Sequence, residues 1–421
     1  MGDWETAKLI FDKRPDMVRI GLSKSFATAL HVAVTANETK QTLHFVKELV
    51  NMMTIEELEI QNKSSNTAFW LACASGNTEM AKILMEKNPN LLNIRGCEGD
   101  LPLAASAFTG RYNLVKHLYH HSHKMTGDYW TNDDRSFILL QCVERDFYDI
   151  ALQIVNDRPE LPLDVGRLLE VLARKPDALN NVQNDLITRI IKSTFRFFQM
   201  KLQPHVAEVD TDALKLLKHI WGHATRTMNL VEIQDMLKGP PRMLFVAAEM
   251  GNTRFIVELV RTYPDLMFNT NEDMLNYGLT IFHIAVMRRH QGIYNLLYEI
   301  GKSNNDVCIV LDMSTDNNML HLVGKTSKEM AAKTPGASLL MQRELLWFKE
   351  VEKMMPPYMR EETNNDGLTP YELFSKENVD QVSKELKWTK DCMVVTTLIV
   401  TVAFAAAFTM PFVCSLPQLH S

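Results

Sequence analysis

The sequence predicts an all-α fold: a solenoid of stacked helix pairs with short hairpin loops, followed by one C-terminal transmembrane helix. Three observations lead there. A phrase of the form small-polar, Ala or Pro, apolar, His, apolar, Ala recurs along the chain. A glycine-led corner recurs behind it and opens a second amphipathic helix. Near the end, the stretch from Cys392 to Leu416 carries no charged residue.

The phrase reads Thr28-Ala29-Leu30-His31-Val32-Ala33, then Thr67-Ala68-Phe69-Trp70-Leu71-Ala72, then Leu101-Pro102-Leu103-Ala104-Ala105-Ser106. It returns as Thr280-Ile281-Phe282-His283-Ile284-Ala285, Asn318-Met319-Leu320-His321-Leu322-Val323 and Thr369-Pro370-Tyr371-Glu372-Leu373-Phe374. Arg242-Met243-Leu244-Phe245-Val246-Ala247 fits it loosely. Thr67 and Leu101 lie 34 residues apart, Thr28 and Thr67 39, and Thr280 and Asn318 38. This resembles the ankyrin repeat, a unit of about 33 residues whose first helix opens with T-P-L-H-x-A. Extra residues fall in exposed connections, where insertions cost little.

Each letter has a physical reason. Thr at the helix start caps free backbone N–H groups. Pro suits the first helical turn, where its missing N–H costs nothing. Ala lets neighbouring helices approach closely, and the His ring can bridge the turn. The corner follows at Gly76-Asn77-Thr78, Gly110-Arg111-Tyr112 and Gly251-Asn252-Thr253. Gly suits a positive-φ turn between helices, and Pro89 and Pro264 mark where second helices end.

Gly2-Asp3-Trp4-Glu5-Thr6-Ala7 is the same corner, so the expectation is that the array starts in mid-repeat. Met1 to Thr6 also fits the loose myristoylation pattern M-G-x-x-x-[ST], but the corner explains it without lipid. A degenerate unit follows at Phe137–Cys142 and Tyr148–Val155, closed by Pro159, and Leu168–Ala173 opens another. After Pro176 the register fails. Residues from about 177 to 240 read as an insertion with helices near Leu186–Phe198 and Ala213–Trp221.

A more specific resemblance rests on Gln342-Arg343-Glu344-Leu345-Leu346-Trp347-Phe348-Lys349-Glu350-Val351-Glu352-Lys353 and Pro356-Pro357. It continues in Asp366-Gly367-Leu368-Thr369-Pro370-Tyr371-Glu372-Leu373-Phe374 and in Lys387-Trp388-Thr389-Lys390 with the apolar run behind it. Here the chain resembles plant ankyrin-repeat membrane proteins with a PGG domain, linked to cell death, defence and salt-stress responses. That family has a Pro-Gly-Gly motif and further membrane helices after the first. Here Met410-Pro411 leads into Phe412-Val413 and the sequence ends at Ser421, so the resemblance implies a shortened member.

The expected organisation is thus N-terminal ankyrin repeats over 1–125, a degenerate ankyrin-like unit with a helical insertion over 126–240, C-terminal repeats over 241–380, and a partial PGG domain over 381–421. Within the last, 392–413 is 22 residues, about 33 Å as a helix against the roughly 30 Å of a bilayer core. Lys384, Lys387 and Lys390 precede the span and no Lys or Arg follows it, which places the array in the cytosol. Trp388 suits the membrane interface, and Cys392 is a candidate for palmitoylation. Either the plasma membrane or the endoplasmic reticulum fits.

No nucleotide-binding glycine loop, hydrolase elbow or kinase signature occurs, so the expectation is a non-enzyme without cofactor or metal. His117 and His121 have an i,i+4 spacing able to share a metal, but no Glu follows His117 as a zinc hydrolase needs. A net charge of −6 disfavours nucleic acid as a partner. Six scattered cysteines read as reduced thiols. What remains is a surface for other proteins, with homo-oligomers also compatible. The expected hairpin tips are Glu98-Gly99-Asp100, Asn276-Tyr277-Gly278 and Asn365-Asp366-Gly367. Glu98, Asp100, Asn276, Tyr277, Asn365 and Asp366 are therefore the candidate partner-facing residues. The expected function is a membrane-anchored adaptor in stress or defence signalling. The alternatives are a component of a transport or channel-like assembly, or a fragment of a longer multi-span protein.

Overall fold

The computed structural model describes residues 3–179, 210–240, 242–270, 278–299, 304–324 and 337–379. Among them the secondary structure is helical, with two isolated β-bridges and no strand. The chain divides into two compact units, Met1–Met243 and Leu244–Ser421.

The first unit is a run of helix pairs. Besides the four-residue turns Ile55–Leu58 and Pro176–Leu179, its described helices are α1 (Trp4–Lys13), α2 (Ala29–Val34), α3 (Lys40–Met52), α4 (Ala68–Ser75), α5 (Thr78–Lys87), α6 (Pro102–Phe108), α7 (Tyr112–His121), α8 (Asn132–Glu144), α9 (Tyr148–Asp157), α10 (Val165–Ala173), α11 (Asp212–Thr227) and α12 (Leu230–Lys238). The first helices α2, α4, α6, α8 and α10 each pack on the next. Behind them α1 packs on α3, α3 on α5, and α9 on α11. The helix expected over 213–221 is α11. It lies against both α9 and α10, in the place of a second helix for the unit that α10 opens. Leu214, Leu217, Ile220, Trp221 and Ala224 supply its buried stripe at helical spacing. The helix expected near 186–198 lies outside the described residues.

The second unit repeats the plan with α13 (Met243–Met250), α14 (Thr253–Thr262), α15 (Ile281–Arg288), α16 (Gln291–Tyr294), α17 (Met319–Gly324), α18 (Ala337–Met354) and α19 (Pro370–Glu377). α15 packs on α17, and α17 on both α18 and α19.

The phrase works as its chemistry implies. Thr67 Oγ1 accepts from Trp70 N at 3.1 Å and Thr369 Oγ1 from Glu372 N at 3.3 Å. The histidines go further than one turn. His31 Nδ1 accepts from Thr28 N at 3.2 Å, while its Nε2 donates to the Asn66 carbonyl of the following hairpin at 3.0 Å. His283 does the same with Thr280 N and the Val310 carbonyl, and His321 with Asn318 N and the Leu368 carbonyl. Each ring therefore ties one repeat to the next. The corner glycines Gly76, Gly110 and Gly251 take φ of 78°, 74° and 73°, as the turn requires.

A second inter-repeat device was not visible in the phrase. The last carbonyls of a helix have no partner within it, and here the next repeat supplies donors. Asn77 Nδ2 reaches the carbonyls of Val34 and Ala36 at 2.6 and 2.9 Å. Arg145 Nη2 reaches Phe108 O at 2.6 Å, Lys175 Nζ reaches Glu144 O at 2.6 Å, and His290 Nε2 reaches Glu249 O at 2.8 Å. A cation at a helix C-terminus also meets the negative end of its dipole.

In the second unit the long helix α18 explains much of the Gln342–Lys353 motif. Arg289, only 5% exposed, donates from Nε to Glu344 Oε2 at 3.2 Å and from Nη2 to Val323 O at 2.8 Å. Glu344 is 1% exposed. Trp347 Nε1 donates to Val286 O at 3.2 Å and Tyr294 OH to Glu350 O at 3.0 Å. Phe348 is buried, its ring 4.9 Å from that of Phe374. Glu344, Trp347, Phe348 and Glu350 are thus the residues that seat α18 on the repeats.

Candidate protein-binding surface

The hairpins between repeats lie edge to edge. Leu22 N donates to Ala27 O at 2.8 Å, Asn62 N to Asn66 O at 2.9 Å and Gly96 N to Asp100 O at 2.8 Å, closing three successive tips. Lys63 N reaches across to Ser25 O at 2.8 Å. Gln61 Nε2 donates to both Ser65 O and Arg95 O, and Cys97 N to Asn66 Oδ1. Arg95 then binds Gly99 O, Tyr129 O and both carboxylate oxygens of Asp134 at 2.7–2.9 Å. Asp134 holds Arg95 above its usual range, while Arg95 and Thr131 hold the Asp134 carboxyl below its own against the burial that opposes them. The row is therefore pre-organised, which lowers the entropy a partner must remove on docking.

The expected tip residues divide by role. Glu98 sits at φ 57° and is exposed, as is Asp366. Asp100 is half-buried, and its carbonyl accepts from Trp70 Nε1 at 3.1 Å. Burial, with Glu98 and Asp134 nearby, pushes the Asp100 carboxyl up. Asn365 is exposed, yet its backbone N donates to Thr315 O at 3.1 Å and its side chain to Ser314 O at 3.4 Å. Asp100 and Asn365 thus serve the tips' own geometry, whereas Glu98 and Asp366 face outward. Asn276 and Tyr277 lie outside the described residues, as do Lys384, Lys387, Trp388, Lys390 and Cys392.

Motif spacing did not single out the exposed aromatic side chains of the first unit. Phe26, at the first tip with φ 56°, is exposed beneath Lys63 Nζ at 4.7 Å. Phe108, 56% exposed at the end of α6, lies under the Arg145 guanidinium at 6.0 Å. Tyr129 is exposed beside the Arg95 clamp. Aromatic and Arg side chains dominate the energetics of protein interfaces. The one signal in the sequence was a large apolar residue standing among polar turn residues.

Among the described residues the buried thiols are held protonated, and His117 Nε2 is buried without a hydrogen-bond partner. Burial pushes the Cys142 thiol up to about 12 and the Cys308 thiol to about 11, far from a reactive thiolate. The His117 and His121 rings lie with centroids 4.2 Å apart, tilted by 40°, and His121 Nδ1 bonds to His117 O at 2.8 Å. Burial and then His121 lower the His117 pKa. Among the described residues no group of three or more His, Cys, Asp or Glu is placed to hold a metal ion.

The family model described as ankyrin repeats (3 copies) matches residues 30–133. Those residues are ankyrin repeats. Comparison with curated proteins finds no match. The matched span takes in α2 and the helices from α3 through α7, and it ends inside α8. It contains the tips at 62–66 and 96–100 with Glu98, Asp100, Arg95, Phe108 and Tyr129, while Asp134 lies one residue beyond it. Ankyrin repeats present a surface to other proteins, and that role carries to this stretch. Among the described residues no helix is long and apolar enough to cross a membrane; the span expected at 392–413 lies outside them.

Proposed function

We propose that the protein is a membrane-anchored adaptor, its ankyrin tips and first helices holding a partner protein and its 392–413 segment fixing it to a bilayer. The matched repeats carry the adaptor half, with the cross-bonded tips, Phe108 and Tyr129 inside the match and Phe26 just before it as the docking features. The anchor half rests on the uncharged run and its lysine-flanked N-terminal side, which orients the array to the cytosol. The likeness of Gln342–Lys353 and Asp366–Phe374 to plant PGG-domain proteins supports a place in stress or defence signalling.

Two experiments separate the halves. Proximity labelling from the full chain is compared with the F26A/F108A double variant. Both side chains are exposed, so the variant keeps its fold, and loss of specific neighbours is expected. An unchanged set of neighbours counts against this surface. Alkaline carbonate extraction of the expressed chain tests the anchor: retention in the pellet is expected, and release into the supernatant overturns it.

A further inference from the structure

We propose that His117 and His121 of α7 together bind a divalent first-row transition metal ion, of the Zn²⁺ or Cu²⁺ class, through their Nε2 atoms. The two residues stand at i, i+4, one turn apart on a single face of the helix. Their ring centroids are 4.2 Å apart and the planes are tilted by 40°. His121 Nδ1 lies 2.8 Å from His117 O. A carbonyl oxygen only accepts, so Nδ1 carries the proton and the Nε2 lone pair is left for a ligand. A backbone carbonyl on the other ring nitrogen is also the support that fixes tautomer and orientation in metal-bound histidines.

His117 supplies the second observation. Its Nε2 is buried with no hydrogen-bond partner. A polar atom in that state has lost water and gained nothing in exchange, which costs free energy that a ligand returns. Burial, then His121 and Lys82, lower the His117 pKa, so the ring is neutral at neutral pH, as a metal ligand must be. His121 is exposed beside it, and the ion reaches the pair from that side. The surrounding charge also suits a cation. The pair lies toward the C-terminus of α7, the negative end of the helix dipole. From α5, Glu79 and Glu86 favour positive charge at His117 and Lys82 opposes it, but Lys82 is paired with Glu79 at 2.6 Å. Imidazole nitrogen selects Zn²⁺, Cu²⁺ or Ni²⁺ over Mg²⁺ and Ca²⁺. Among the described residues no third His, Cys, Asp or Glu completes the set, so water takes the other positions and the ion stays exchangeable. This inference goes beyond the adaptor reading and does not depend on the anchor.

The test uses the full chain purified in detergent and dialysed against Zn²⁺, with Cu²⁺ in parallel for its nitrogen couplings in paramagnetic resonance. The chain holds 13 histidines, so the variants separate this pair from the background. His121→Gln changes an exposed side chain and keeps the fold. It should weaken the tightest site by at least about ten-fold, as should His117→Gln. The double variant H120Q/H123Q alters two exposed neighbouring histidines and should leave that site unchanged. Zn²⁺ should slow amide exchange in α7 of the natural chain and not of H121Q, because binding stabilises the folded helix. Bound Cu²⁺ should show two coupled nitrogens, reduced to one in H121Q. A tightest site untouched by H121Q overturns the proposal, as does an equal loss in H120Q/H123Q. So does Zn²⁺ that leaves α7 exchange unchanged, or binding spread evenly over many weak sites, an adventitious ion only.

Discussion

Protonation of the repeat histidines should uncouple neighbouring repeats, and His283 is the sharpest case. Its ring is fully enclosed, accepting from Thr280 N at 3.3 Å and donating to Val310 O at 3.2 Å. Burial pushes its pKa from 6.5 down to about 4, against smaller raising effects of the Val310 bond and Asp312. Above pH 6.5 both folded and unfolded chains are neutral at this position, and it adds no pH dependence. Between 6.5 and about 4 the unfolded chain takes up a proton that the folded chain refuses, so stability falls as pH falls. The whole gap is worth roughly 3 kcal/mol, with most of it lost by pH 4.5. The perturbation is His283→Gln, which stays neutral at every pH. At pH 7 the variant should be less stable by about 1–3 kcal/mol, because buried hydrogen bonds are lost. On acidification the gap between the two proteins should shrink by about 2–3 kcal/mol. Hydrogen exchange of the α15 amides, corrected for intrinsic rate and followed from pH 7 to 4.5, reads this directly. Parallel curves for the two proteins would refute the argument, as would a His283 titration midpoint close to 6.5. His31 and His321 are shifted in the same direction by burial and should add to the acid sensitivity.

Three further outcomes follow from packing. Glu344→Gln leaves the Arg289 guanidinium buried without its counter-charge, at a cost of about 3–5 kcal/mol seen as faster exchange in α18. A loss under 1 kcal/mol would mean that the pair is hydrated in solution. Asn77→Ala removes the donors to Val34 O and Ala36 O and should cost about 1–2 kcal/mol in denaturant unfolding of the first unit, with α2 and α4 opening first. Gly96→Ala sets a Cβ 2.5 Å from Trp70 Cδ1 and 2.7 Å from Asn66 Oδ1. The ring must shift, which should weaken the tip row by about 1–3 kcal/mol and change Trp70 fluorescence; an unaltered spectrum would show that the hairpin yields instead.

Local features were legible because their causes are local. Thr67 caps its own helix, Gly76 turns its own corner, and Pro89 and Pro264 open the short 3₁₀ turns after α5 and α14. The tips at Glu98 and Asp366 were legible for the same reason, since turn residues act within four positions. The aromatic docking features were not, because exposure of Phe26 or Phe108 depends on what the neighbouring repeat covers. The place of α11 was also hidden. Thirty residues outside the described set, 180–209, lie between Leu179 and α11, and only packing on α9 and α10 shows that it completes a pair.

By itself, then, the sequence determined the repeat, its period, its caps and its corners, since these depend on backbone chemistry within a turn or two. Tertiary structure decided what joins the repeats. The bond from His31 to Asn66, the reach of Asn77 to Val34 and the burial of Arg289 against Glu344 link residues 35 to 55 positions apart. No pattern of neighbours encodes such pairs, because burial and distance are properties of the folded stack.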